Sequence, residues 1–222
     1  METIDSIPVK LGVDVVQAKL RAPGPEAVEA LLSEALSLAE PKAAFAVAYI
    51  DEKGTDDVQI AGHRFRSRVL RKNLDSVRRV FPAVVTIGSR LEQKADQAGD
   101  LLEKYYLDMI GNLILAEARS YVSGQLCRRF AVRTLSWMSP GSLEDWPLDA
   151  QRPLFALLDG TEAAVGVRLT ESLLMLPRKS VSGIFFPSET TFFSCRLCPR
   201  PRCEGRKARY DEAAAREYGV IK

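Results

Sequence analysis

Hydrophobic positions change period several times along the chain, and each change marks an element. The opening stretch "IPVKLGVDVVQAKL" is rich in β-branched residues and reads as a first strand. A Pro/Gly cluster, "RAPGPEAVEALLSEALSLAEP", then sets up a helix from about Pro25 to Leu38, with acidic residues in its first turn and Pro41 beyond its end. "AAFAVAYI" and "DDVQIAG" read as strands joined by the turn-forming "DEKGT", and "RRVFPAVVTIG" as a buried strand leading into the helix "SRLEQKADQ". The basic run "HRFRSRVLRK", residues 63 to 72, reads as a solvated helix start. From Asp100 to about Leu126 a helix runs without proline. Its middle, "LDMIGNLILAEARSYV", is apolar nearly all round, which predicts a central, buried helix.

Three polar residues interrupt that apolar stretch. Asp108 and Asn112 are four apart and share a face, whereas Glu117 points elsewhere. A buried carboxylate is costly without partners, so these groups either brace neighbouring loops or line a cleft, and bracing is the default reading. Gly111 in the same helix predicts close packing against another backbone.

The second half is punctuated differently. "WMSPGSLEDWPLDAQRPLFALLDG" opens on the Pro140-Gly141 turn and passes through Trp146-Pro147 into a short helix ended by Gly160. "VGVRLTESLLMLPRKSVSGIFFPS" holds two apolar segments separated by Pro177-Arg178-Lys179 and the small-residue run Ser180-Val181-Ser182-Gly183. Small polar residues beside glycine let a ligand approach the backbone, and Thr170, Glu171, Ser172, Ser180 and Ser182 offer hydroxyls and a carboxylate. Hairpins with satisfied hydroxyls carry the same pattern.

Composition narrows the function classes. With 222 residues, 46% of them hydrophobic, the chain suits one large domain or a main domain with a short appendage. Thirty-one basic against 29 acidic residues leave a net charge of +2, so no global field argues for nucleic acid or an anionic membrane. No stretch approaches the roughly 20 apolar residues of a membrane span, and "METIDSIPVK" lacks a basic segment followed by a hydrophobic one. A cytoplasmic chain is expected. A hydrolase or nicotinamide enzyme is disfavoured by the lack of a phosphate loop and a dinucleotide fingerprint, and by the presence of only one histidine. Three of the four cysteines, Cys195, Cys198 and Cys203, fall in "SCRLCPRPRCEGRK" as C-x2-C-x4-C. In a reducing compartment such clusters hold metal or do redox chemistry more often than they form disulfides. Three thiolates need a fourth ligand, for which Cys127 and the sole histidine, His63, are the candidates. The surrounding arginines equally suit a solvated tail or a docking patch for an acidic partner.

The ordered set "SPG…DWPL…Q…LF.LL…GV.LTES.LM.P.KSVSG" resembles the reactivation (activation) domain of cobalamin-dependent methionine synthase and its stand-alone relatives. "PKAAFAVAYI", the strand ending "TIGSRLE" and the helix "LDMIGNLILAEA" agree, so the resemblance covers about residues 25 to 190. It implies an α/β (α+β) unit over residues 1–190, a curved, mainly antiparallel sheet packed by helices including one long central helix, followed by a cysteine-rich basic tail over 191–222. It also implies binding of S-adenosylmethionine. The implied task is to restore a partner's corrinoid from cob(II) by one electron, from a donor such as flavodoxin or ferredoxin, followed by methyl transfer. The partner is a corrinoid protein or cobalamin-dependent methyltransferase. No acid or base of the chain is required, since the domain supplies positioning. The cofactor-binding residues implied are Glu117, Ser139, Pro140, Gly141, Glu171, Ser180, Ser182 and Gly183. Trp137 stands where the family has an arginine and Ser142 where it has a tyrosine, so Arg133 or Arg178 would have to replace the arginine. A second acidic helix position falls near Tyr121. The cysteine tail lies outside the methionine synthase pattern. An iron-sulfur cluster there suits low-potential electron delivery, and zinc suits a structural knuckle. The alternative function is a docking or electron-transfer accessory that does not use S-adenosylmethionine.

Overall fold

The most apolar strand of the sequence runs through the middle of the sheet. The computed structural model describes residues 1–203 and 205–221. In chain order its elements are β1 (Glu2–Ile4), α1 (Val13–Leu20), α2 (Glu26–Leu38), β2 (Lys42–Phe45), β3 (Ala48–Lys53), β4 (Asp57–Ile60), β5 (His63–Arg66), α3 (Arg68–Asn73), β6 (Arg79–Thr86), α4 (Arg90–Gln97) and α5 (Leu101–Phe130). There follow β7 (Leu135–Met138), α6 (Gln151–Leu157), α7 (Thr161–Val165), the short pair β8 (Arg168–Leu169) and β9 (Met175–Leu176), β10 (Ser180–Pro187) and α8 (Glu212–Glu217). β2 and then β3 run along one edge of β6, and β10 runs along the other with β7 beyond it. β1 flanks β2, while β4 and β5 continue from β3. All these pairings are antiparallel, as the family resemblance implies.

Strand alternation assigns β6 to two cores. Phe81, Ala83 and Val85 pack with Ala118, Val122 and Leu126 of α5. Val80 and Val84 serve the opposite face, where α3, α6, α7 and α8 lie. The result is a sheet between two helical layers. "AAFAVAYI" forms two strands rather than one, for a local reason. Its register is continuous, with Phe45 opposite Ala83 and Ala48 opposite Val80, but Pro82 has no N–H to donate. Only the Ala46 N–H to Pro82 carbonyl bond, 3.0 Å, spans the gap.

Several sequence expectations need correction. "IPVKLGVDVVQAKL" is not a strand: residues 13–20 are helical, because Val16 and Leu20, four apart, bury one face against α2 and α5. Packing here overrides the β preference of valine. "HRFR" is strand β5, with buried Phe65 between exposed Arg64 and Arg66, and the helix begins only after Ser67, whose hydroxyl accepts the Leu70 N–H at 2.9 Å. Nor is α5 buried all round. Leu107, Ile110, Gly111, Ile114, Ala118, Val122 and Leu126 make one buried stripe, and Asp108, Asn112 and Glu117 are exposed. Gly111 faces side chains, not backbone: a methyl there would meet Leu91 Cδ2 at 3.3 Å and Lys179 Cε at 3.4 Å. Gly160 begins α7 rather than ending α6. Bracing is what Asp108 and Asn112 do, receiving the Lys179 ammonium at 2.6 and 2.8 Å.

The segment after β10 packs across the edge of the sheet. The Phe192 N–H donates to Ser136 Oγ of β7 at 2.7 Å, and Leu197, Ala214 and Ala215 are buried in the core that holds Leu70 and Leu154. At the centre of the cysteine segment is an arginine. The Arg206 guanidinium donates to the carbonyls of Cys195, Ala208 and Cys198 at 3.3, 3.3 and 3.4 Å, and also to that of Arg200. A planar fork with five N–H donors suits such a ring of carbonyls.

Candidate functional site

Where the tail passes β7, it walls a cleft against the long helix. The cavity is about 500 Å³, and α5 contributes Glu117, Arg119, Ser120 and Ser123 to it. Trp137, Ser139 and Ser142 come from β7 and the turn beyond it, Phe185 from β10, and Thr191 to Cys195 with Lys207 from the tail. Its volume is that of a small-molecule site, and it combines an aromatic floor with a few polar groups.

Trp137 is the centre of that floor. Its ring lies 4.3 Å from Phe185 between centroids, and its indole N–H donates to Ser139 Oγ at 2.7 Å. Gly183 makes this possible, since a Cβ at that position would stand 2.6 Å from Trp137 Cζ2. The Arg119 guanidinium lies over the indole, 5.6 Å from the ring centroid. Pro140 and Gly141 form the turn between the lining residues Ser139 and Ser142. Gly141 adopts φ +78 and donates its N–H to the Trp146 carbonyl at 2.7 Å, which closes the turn and presents the Ser142 hydroxyl, itself bonded to the Ser139 carbonyl at 2.6 Å.

The residues named from the sequence therefore divide. Glu117 and Ser139 line the cleft, Gly183 underlies Trp137, and Pro140 and Gly141 are not among the lining residues but form the turn between Ser139 and Ser142. Ser180 and Ser182 do not reach it. Alternation along β10 turns Gly183 and Phe185 towards α5 and sends the two serines to the opposite face, as it does Ile184 and Phe186. The Ser180 hydroxyl is used internally, donating to the Pro177 carbonyl at 2.7 Å with the Thr86 hydroxyl 2.9 Å away, while the buried Ser182 hydroxyl has no partner among the described residues. Glu171 sits in the β8–β9 hairpin, exposed, with its carbonyl accepting from Arg152 at 3.0 Å.

Neither arginine proposed for the vacated position takes it. Arg178 is held by Glu92 and Asp96 of α4, and Arg133 is not among the cleft residues. Arg119 is the arginine at this place. Sequence reading missed it because nothing in "LAEARSYV" tells which of its polar residues faces β7. Burial pulls its pKa below the ordinary arginine value, and it forms no ion pair among the described residues. Lys207 at the rim is likewise without a carboxylate. Its ammonium lies below the usual lysine value, chiefly through burial and then through Arg119, with a partial offset from Cys195.

The cysteines do not assemble as expected. Among the described residues no group of three or more His, Cys, Asp or Glu side chains is placed to hold a metal ion. Cys127 packs with the core of Phe45, Phe81 and Phe130, Cys198 with the core around Leu197, and Cys195 Sγ accepts the Lys207 N–H at 3.4 Å. Cys203 is exposed. Among the described residues the four cysteines thus do not converge on one point.

A larger depression, about 680 Å³, lies beside β5 and α3, but each of its arginines is already paired. Arg64 pairs with Asp57, Arg66 with Asp56 at 3.2 Å and Arg68 with Asp145 at 3.2 Å. With their arginines turned to solvent and already paired, these groups mark a structural ion-pair surface rather than a ligand site.

Comparison with known proteins agrees with the resemblance read from the sequence. The family described as "Vitamin B12 dependent methionine synthase, activation domain" matches residues 146–210, a stretch that runs beyond residue 190 and through Cys195, Cys198 and Cys203. Among solved structures, a crystal structure of the MetH reactivation domain bound to AdoHcy shares the fold, with a TM-score of 0.57 and 14% identity, over 88% of this chain and 82% of that one. No curated protein matches the sequence significantly. Among the described residues no helix is long and apolar enough to cross a membrane.

Proposed function

We propose that this chain, which has the fold of the methionine synthase reactivation domain, serves a corrinoid-dependent methyltransferase as its reactivation module and binds S-adenosylmethionine in the cleft between α5, β7 and the tail. One observation carries the reading. A single cavity gathers Glu117, Trp137, Ser139 and Ser142, four positions at which the resemblance locates cofactor contacts or their replacements. The matched solved domain held AdoHcy, the demethylated product of the same cofactor, which supports a nucleoside thioether as the ligand class.

The cleft residues suit that ligand. Trp137 and Phe185 offer an aromatic surface for an adenine or a sulfonium methyl, and the Ser139–Trp137 hydrogen bond fixes the indole so that little side-chain freedom is lost on binding. The Glu117 carboxylate, exposed on the helix, is available to an ammonium or sulfonium charge. S-adenosylmethionine supplies an electrophilic methyl group. What the chain contributes is placement and exclusion of water, and no proton transfer by a side chain is needed. The corrinoid and the low-potential electron come from partners, of which flavodoxin or ferredoxin are the natural donors.

Titration calorimetry of the full chain with S-adenosylmethionine and S-adenosylhomocysteine tests this, with one site per chain expected. Well-folded protein that binds neither at millimolar ligand would overturn it. The second reading, a docking accessory without S-adenosylmethionine, draws on Trp137 in the arginine position. That outcome is what it predicts.

A further inference from the structure

We infer that Arg119 of the long helix and Lys207 of the tail form an anion-binding subsite in the cleft, and that it holds the carboxylate of the ligand's amino-acid end. The anion site follows from the two cations. Naming the anion as the carboxylate of an S-adenosyl amino acid rests on the function proposed above.

Arg119, half-buried, and Lys207, exposed at the rim, differ from the cations that line the neighbouring depression beside α4. Lys179 is met by Asp108, and Arg178, about half exposed, is met by Glu92 and Asp96. Arg119 and Lys207 line one cavity, the Arg119 charge disfavours the Lys207 ammonium, and neither meets a carboxylate in an ion pair among the described residues. Glu117 is in the same cavity but pairs with neither. Like charges brought together are unfavourable unless an anion offsets them, and each group has its charged form disfavoured, Arg119 through burial and Lys207 through burial and then through Arg119. Hydroxyls of Ser120, Ser123 and Ser194 lie in the same lining and complete a donor-rich pocket.

Their supports explain why they stay in place. Arg119 is laid across the Trp137 ring, so the tryptophan that stands in the arginine position carries an arginine brought from another element. Lys207 follows Arg206, whose guanidinium ties the tail loop, and its own N–H is bonded to Cys195 Sγ. The basic, cysteine-bearing tail thereby acquires a role that needs no metal: it is the wall that delivers one of the two cations.

The test compares the full-length protein with Arg119→Met and Lys207→Met, which keep an unbranched apolar stem and remove charge. Three probes are titrated calorimetrically: S-adenosylhomocysteine, 5′-methylthioadenosine, which is the same nucleoside thioether without the amino-acid end, and inorganic phosphate. Each substitution should weaken S-adenosylhomocysteine about tenfold or more and leave 5′-methylthioadenosine within about twofold, as expected for loss of a charge-assisted contact. Melting midpoints should be unchanged or raised, since a like-charge contact is removed. If both variants bind S-adenosylhomocysteine as the unaltered protein does, the subsite is overturned while the proposed function stands. If the unaltered protein binds neither nucleoside, the proposed function falls and phosphate decides: binding that both substitutions abolish upholds the anion site, and absent or unaffected phosphate binding overturns it.

Discussion

Gly183 lies beneath Trp137, where the missing side chain lets β10 and the indole approach. Gly183→Ala forces the ring and the Met138 carbonyl apart, so urea unfolding should show a loss of about 3 kcal/mol or more, at the upper end for overpacking. A loss below about 1 kcal/mol would show that β7 yields easily. Ser182 is the converse case. Its buried hydroxyl has no partner among the described residues, so Ser182→Ala should stabilise by about 1 kcal/mol, and destabilisation would reveal a partner such as a bound water. Asp145 provides the pH dependence. Burial alone would raise its pKa, but hydrogen bonds from Ser67 Oγ at 2.6 Å, Val69 N–H at 2.9 Å and Arg68 Nε at 3.2 Å hold it below the ordinary carboxylate value. With the folded value lowered, its contribution is complete above the ordinary aspartate range and is lost as pH falls through the lowered value. Asp145→Ala should therefore cost about 1–3 kcal/mol at pH 7, and the difference from the unaltered protein should shrink in acid when unfolding is followed across pH.

Among the elements, the tail loop depends on one side chain. Arg206 bonds the carbonyls of Cys195, Cys198, Arg200 and Ala208, a ring that lysine cannot span with its compact ammonium. Arg206→Lys should speed amide exchange of residues 195–203 and 205–208 by about tenfold or more with little change in α5, and equal protection would show that other contacts hold the loop. This element also shows where sequence reading stops. Cysteine spacing in 195–203 indicated a metal, because thiols two residues apart are the commonest signal of one. The hub, an arginine bonding four main-chain carbonyls, leaves no such signal, as any arginine in the tail could do it. β6 was legible for the opposite reason: an unbroken apolar run flanked by a helix start has few other solutions. The helix at 13–20 was not, since valines prefer strands until a neighbouring face rewards burial of Val16 and Leu20.

At the scale of the whole molecule, the tail belongs to the same packed body as the sheet. Leu197, Ala214 and Ala215 are buried against α3 and α6, with Phe192, Tyr218 and Val220 beside them. Burial of each large apolar side chain is worth about 1.5–3 kcal/mol. A chain ending at residue 190 should then melt about 10 °C or more below the full chain and bind S-adenosylhomocysteine poorly, because one wall of the cleft is gone. A midpoint within about 2 °C would show that the core is complete without the tail. By itself the sequence determined the order of most elements, the central strand, the long helix and the resemblance that brings Glu117, Ser139 and the Pro140-Gly141 turn into one argument. These are local patterns of period and motif, which contiguous residues carry. Only the tertiary structure decided that Ser180 and Ser182 face away, that Arg119 covers Trp137 and that Lys207 joins it from the tail. Strand parity, helix phase and the path of the chain around a sheet edge set those placements, and they are settled only when distant segments pack.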